Sequence, residues 1–421
     1  MSDYFDRVER QIVRNVEAGL PRASRRPNAF GYLAVAAAAM VVIVVAGAFL
    51  LARGSSPTTA PAAGQSVTVA FKAAAIDPKA PLGPAINRSL VILSKRLASA
   101  FPGSSASWNG QDVVVVAPHA GPGARGRILA LAAPGQLAFY DWEANALTPN
   151  GKTVASQLQT QDATATAISQ GGGSGAPGEP AAGSMNLYDA VRLASKQPPR
   201  ASAANSPQYW MFGAPGSAAC AAAARANGTT PVAGQHCLLN GPEDSREALL
   251  SGLPAGVGAS DGQILVVPRG TVVLQAIPAS FSKPTPIGDP SARFYVLENN
   301  VALRGSDITN PQQSADPNTA GPFVTFGFTS QGESEFRHVT AEVAHRGDLV
   351  SGLGQTLNQH FAVALDDRLI TVPFIGFKQY PDGINGDHGA DVAGGFTTQS
   401  AKDLATILRY GPLPVSLTAT G

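Results

Sequence analysis

FAVALDDRLITVPFI at positions 361–375 and GADVAGGFTTQSAKDLATILRYGPLPVSL at 389–417 hold the pattern that decides the fold of this chain. Phe361 to Leu365 and Leu369 to Val372 are apolar, β-prone runs on either side of Asp366-Asp367-Arg368, the signature of a tight hairpin. From Thr398 to Arg409 the residues Ala401, Leu404, Ala405 and Leu408 return at helical spacing, which predicts a helix with one apolar face. A hairpin followed by an amphipathic helix is a fragment of an α+β layer.

The same mixture extends upstream. Ile264 to Val267 and Thr271 to Ile277 are β-rich runs split by Pro268-Arg269-Gly270, and Phe294 to Leu297 and Phe323 to Phe328 are further strands. Ser330-Gln331-Gly332-Glu333 reads as a capping box, and Phe336, Val339 and Val343 stripe the helix behind it. Nearer the N-terminus, Val67, Val69 and Phe71 alternate as a half-buried strand, and Ile86, Leu90, Leu93 and Leu97 keep helical spacing. Val113 to Val116 reads as a buried strand, Ile128 to Leu131 as a short helix and Leu137 to Tyr140 as a strand beside the first two. Between Thr148 and Gly262 the periodicity fades. Gln157 to Gly183 reads as loop or disorder, with a helix at Asn186 to Ser195 and a short strand at Tyr209 to Phe212 beyond it.

Leu33 to Ala52 is uncharged and almost wholly apolar, the length that a helix needs to cross a bilayer core of roughly 30 Å. Arg14, Arg22, Arg25 and Arg26 precede it and Arg53 alone follows closely, so the positive-inside bias keeps the N-terminus cytoplasmic. A cleaved signal peptide ending near Ala60-Pro61-Ala62 is the alternative, with an apolar core longer than such peptides carry. Phe5, Val8, Ile12 and Val16 describe an amphipathic cytoplasmic helix before the span. Cys220 and Cys237 both fall on the exported side, where a disulfide is the expected state and two free thiols the alternative. A formal charge of +1 over 421 residues offers no cationic footprint for nucleic acid.

Chemical motifs do not survive their contexts. Gly173 to Gly178 satisfies G-x-G-x-x-G without the preceding strand and following helix that a dinucleotide site needs. Ser260 lies in a G-x-S-x-G, but its strand comes after the serine rather than before it, and His338, His345 and His360 form no ordered triad with it. His338 and His345 are two turns apart, not the one turn of a zinc pair. Asp382, Asp387 and Asp391 lack the order of a calcium loop. The expectation is a protein without catalytic residues, cofactor or metal.

The two C-terminal blocks closely resemble the end of the first periplasmic domain of the SecD protein-export family. Asp366, Pro373, Gly395, Phe396, Thr397, Ala401, Leu404, Ala405, Leu408, Gly411, Leu413 and Pro414 match its pattern. Leu303 to Ile308, Phe323 to Phe328 and Gln331 to Thr340 are similar to segments upstream in that family, and Val67 to Trp142 looks like its base subdomain. The resemblance implies an α+β fold of base and head subdomains held outside the cytoplasm by a single transmembrane helix, in a single-span form of the family. The implied organisation is a cytoplasmic segment at 1–31, a transmembrane helix at 32–52, a linker at 53–65 and a base-like subdomain at 66–147. A Gly/Ala-rich, partly disordered insertion with the cysteine pair follows at 148–262, then a head-like region at 263–421. Implied partners are the membrane, Sec translocon subunits and unfolded secreted polypeptides, bound by β-addition at exposed edges around Phe323 to Phe328. An envelope scaffold or sensor that reuses the fold is the alternative.

Overall fold

The structure is a computed structural model that describes residues 65–77, 80–159, 183–203, 205–227, 230–277, 285–315, 321–351, 358–393 and 395–420. The expected cytoplasmic segment, the membrane helix and the Gly173 to Gly178 motif lie outside the described residues. Among those described, no helix is long and apolar enough to cross a membrane.

The base opens with β1 (Gln65–Ala75), α1 (Leu82–Ala100), β2 (Ser105–Trp108), β3 (Val113–Ala120) and α2 (Ala124–Leu131). Pro84 is tolerated in α1 because a first-turn amide has no intrahelical acceptor. Ile86, Leu93 and Leu97 then bury one face of that helix against Val69, Phe71, Val113 and Val115. Each such side chain contributes about 2 kcal/mol of apolar burial. Val113 to Val116 is buried on one face only, since its residues alternate between buried and half-buried. The sheet runs β17-β1-β3-β2, where β17 (Val415–Ala419) arrives from the far end of the sequence. The base is therefore discontinuous, and the head-like region does not keep residues 411–420 to itself.

β4 (Leu137–Asp141) departs from expectation more sharply. It pairs not with the base but with β10 (Leu303–Arg304) and β13 (Gln359–Leu365), in a larger sheet ordered β10-β4-β13-β14-β8-β9. The remaining strands are β8 (Thr271–Gln275), β9 (Phe294–Glu298) and β14 (Arg368–Thr371), with β15 (Phe374–Ile375) also paired to β13. Asp366 and Asp367 close the β13–β14 hairpin with φ of 51° and 58°. That is the left-handed pair a two-residue turn of matching twist requires, and aspartate tolerates it.

One face of this sheet packs Phe139, Phe361 and Val363 against α8 (Ser330–Ser351), α9 (Thr398–Tyr410) and a three-stranded sheet. That sheet is ordered β11 (Ile308–Ser314), β12 (Phe323–Phe328), β16 (Ala390–Ala393), so Phe323 to Phe328 is its central strand and offers no edge. α8 is capped one residue earlier than the sequence suggests: Thr329 Oγ1 accepts the Gly332 amide at 3.0 Å.

After α4 (Val154–Gln159), the insertion expected at 148–262 to be partly disordered carries further elements among the described residues from 183 onward, including the expected helix at Asn186 to Ser195 and strand at Tyr209 to Phe212. α5 (Leu187–Ala194) covers Trp210 and Phe212 of β5 (Gln208–Gly213), which is flanked by β6 (Cys237–Glu243) and β7 (Gly262–Val267). α6 (Ala218–Asn227) and α7 (Arg246–Ser251) pack on the opposite face around Met211 and Leu249. α6 escaped sequence detection because it is almost all alanine, which forms helix well but leaves no apolar period. The Cys220–Cys237 disulfide ties α6 to β6. Its two sulfurs sit over Gly213, where a Cβ would lie 2.8 and 2.9 Å from them.

Candidate functional site

Two chain crossings leave or enter the base, at residues 132–136 toward β4 and at 411–414 from α9, and four family-matching residues, Asp366, Gly411, Leu413 and Pro414, lie at them. Arg96 sits in the apolar stripe of α1, three residues after Leu93, and is fully buried. Its Nη1 donates to the carbonyls of Leu131 (3.0 Å) and Ala133 (2.6 Å), and its Nη2 to those of Pro134 (3.1 Å) and Gly411 (2.5 Å). One guanidinium thus holds both crossings, using the planar fork that a lysine lacks. Burial lowers it to about 10, with Asp366 opposing, so it stays charged at neutral pH.

Asp366 secures the first crossing from the hairpin side. Its carboxylate accepts the Gly135 amide at 3.1 Å and the Gln136 amide at 2.8 Å, while its own amide donates to Gln136 O. Burial pushes this carboxyl up, and those two amides and Arg96 pull it back. At the second crossing Gly411 ends α9 with φ of 78°, and the Leu413 amide donates to Pro134 O at 2.8 Å. Leu413 is buried in the base, and Pro414 O accepts the Ile76 amide. Thr397 caps α9 in a reciprocal box with Ser400, whereas Phe396, Ala401, Leu404, Ala405 and Leu408 fill the head core. Pro373 O accepts the Phe361 amide, and Gly395 takes a φ of 66° just before α9. Asp366, Gly411, Leu413 and Pro414 thus serve the joint, and most of the other motif residues pack the core or start α9.

A second polar group lies where β4 meets α8 and β13. Arg346 pairs with Asp141 and donates through Nε to Gln359 Oε1 at 3.3 Å. Glu143, in α3 (Trp142–Asn145), accepts the His360 backbone amide at 2.8 Å and lies 2.6 Å from its Nδ1. Burial raises Asp141, with Arg346 and the Ala144 amide opposing. Sequence reading missed this group and Arg96 alike. The one available signal for Arg96 was a cation inside an otherwise apolar helical stripe.

The remaining sequence candidates are dispersed. Ser260 occupies the Gly258–Asp261 turn ahead of β7, while His338 pairs with Glu342 and His360 with Glu143. Asp391 lies in β16 opposite Thr325, and Asp387 beside His388 in the preceding loop. Cys220 and Cys237 are joined, as expected.

Comparison with known proteins places the joint in context. Residues 281–415 match the family model of the SecDF P1 head subdomain. The SecD translocase subunit of Rickettsia prowazekii (strain Madrid E) is 30% identical over 124 residues, covering 30% of this chain and 20% of that protein. The subunit of Acetobacter pasteurianus (strain NBRC 105184 / IFO 3283-01) is 33% identical over 119 residues, covering 28% and 19%. The matched segment thus spans about a fifth of the length of these relatives. A crystal structure of SecDF in a super-membrane-facing form is similar over 85% of this chain and 30% of its own, at 17% identity and a TM-score of 0.38. A second SecDF structure, of a membrane component that enhances protein export, is similar over 84% and 98%, at 17% identity and a TM-score of 0.36.

Proposed function

We propose, for a chain whose residues 281–415 match the family model of the SecDF P1 head subdomain, that it assists Sec-type protein translocation. It acts as a membrane-anchored module outside the cytoplasm, binds polypeptides as they are exported, and does so without catalysis of its own. The observation that carries this reading is the match of the head together with its wiring into the base. Asp366, Gly411 and Leu413 belong to the family pattern and hold the two crossings. Motif residues spent on a joint favour a two-part module that works as a mechanical unit over an isolated binding domain. The uncharged run at Leu33 to Ala52 supports the anchor, and the disulfide suits an oxidising compartment.

The test is crosslinking from the base and head surfaces in intact cells, followed by mass spectrometry. Translocon subunits together with varied secreted polypeptides are the expected partners. One stoichiometric partner, with neither translocon subunits nor varied clients, would overturn the proposal.

A further inference from the structure

An extended polypeptide is recognised most generally by a strand edge, because its alternating amides and carbonyls match only another extended backbone. Folded proteins disarm such edges with charge, proline, shortness or cover. Nearly every outer strand among the described residues carries one of these devices. β10 and β15 have two residues each, and β2 has four, two of them serine. β11 contains Pro311, whose carbonyl accepts Arg409, and β16 carries Asp391. β6 holds Pro242 and Glu243. β9 is covered by Met185 and Leu147, which bond to Phe294 and Val296. β17 carries none of the four, but its apolar residues alternate with Ser416 and Thr418, so only one of its faces is apolar.

β7 has none of these protections. It pairs with β5 along all six residues, Gly262 to Val267, and is the terminal strand of its sheet. Among the described residues no backbone hydrogen bond reaches its outer side. The strand has no charge and no proline, and its last four residues are Ile264-Leu265-Val266-Val267. Both faces are apolar: Leu265 leans on the core under α5, and Ile264 on the core under α6 and α7. Both are only half-buried, and Val266 is 37% exposed. An added strand would complete two apolar layers at once.

We infer that the outer edge of β7 is a docking site for an extended, apolar stretch of an unfolded polypeptide, which joins the β6-β5-β7 sheet as a fourth strand. This rests on the proposed polypeptide-binding role and gives it a location outside the matched head at 281–415. The ligand class follows from the edge itself: a continuous backbone ladder supplies affinity, and the flanking Ile264, Leu265 and Val266 select apolar side chains.

The experiment is hydrogen–deuterium exchange on the full chain, with and without reduced, carboxymethylated α-lactalbumin as a permanently unfolded probe. The expected result is slowed exchange across 262–267 with probe. V266K, which puts a charge at the exposed position, should weaken probe affinity about tenfold without moving the melting temperature. Probe binding without protection at β7 would overturn the β7 site and leave the polypeptide-binding role standing. No probe binding anywhere would overturn both. Protection already present in the free chain, or appearing only as protein concentration rises, would assign the edge to this chain's own segment or to a second copy and likewise overturn the inference.

Discussion

Arg127 of the base and Asp403 of α9 form a bidentate pair across 276 residues of sequence, with Nε 3.0 and 3.2 Å from the two carboxylate oxygens and Nη2 at 2.9 Å. α9 thereby faces two ways. Leu404 and Leu408 belong to the head core, while Ile407 is buried in the core of the base. The pair and Ile407 fix the angle at which this helix lies against α1 and α2.

Breaking that pair should loosen the joint without emptying a core. The side chains are 27% and 10% exposed, intermediate between surface and buried pairs, so D403N should cost roughly 2 kcal/mol in urea unfolding. A double-mutant cycle with R127M should recover at least half of this as coupling. Additive costs would show that the two residues act independently.

Arg96 is the larger commitment. R96M would take one donor from each of four carbonyls, of which Pro134 O keeps the Leu413 amide, and a loss of about 3 kcal/mol is expected. R96K should rescue only part of it, since an ammonium cannot span both crossings as a guanidinium does. Limited proteolysis should then cut first at 132–136 or 411–414. Cleavage confined to other loops would argue against the clamp.

Gly213 and the disulfide should be coupled. G213A drives a methyl against both sulfurs and should cost about 1–3 kcal/mol. In a C220A/C237A background the same substitution should cost less, because the obstructing atoms are gone. Removing the bridge alone, between residues 17 apart, should cost about 3 kcal/mol. Melting curves of the four proteins decide the point.

Asp141 makes stability depend on pH in a stated direction. Burial raises its folded value above the usual 3.8, so the folded chain holds the proton more tightly than the unfolded one. The stabilisation is fully present below the unfolded value and is lost as pH rises through the folded one. Asp366 and Asp403 are raised by burial as well and add to the slope. Melting temperatures from about pH 4 to about pH 7 should fall, and D141N should flatten the trend. An unchanged slope in D141N would remove Asp141 from the account.

The β13–β14 hairpin and α9 were legible because their signals are local: two turn residues between apolar runs, and a helical period. Non-local partners left no such mark. Leu137 to Tyr140 follows the base in sequence and reads as its next strand, yet its hydrogen bonds go to residues more than 160 positions away. Arg96 and Gly411 are 315 apart, and nothing near either announces the other. Phe323 to Phe328 could be recognised as a strand but not as a central one, because the number of neighbours a strand has is a property of the fold. Within 183–267 the helix at Asn186 and the strands at Tyr209 and Ile264 could be read, whereas α6 and α7 were hidden by composition and shortness, being held by a disulfide and by packing around Met211 and Leu249 rather than by a repeating pattern.

The pairing of β1 with β17 has a temporal consequence. Ser416 lies 342 residues after Ala74, beside which it finally rests. Ribosomes add roughly 5–20 residues per second, so Phe71 to Ala75 waits some tens of seconds during synthesis for its outer neighbour. Through that interval the base is a three-stranded sheet with an unfinished side, lacking Leu413 and Val415 from its core. Maturation of the base is thus gated by arrival of the last strand, and a stalled or nicked chain would leave its earliest-made sheet incomplete.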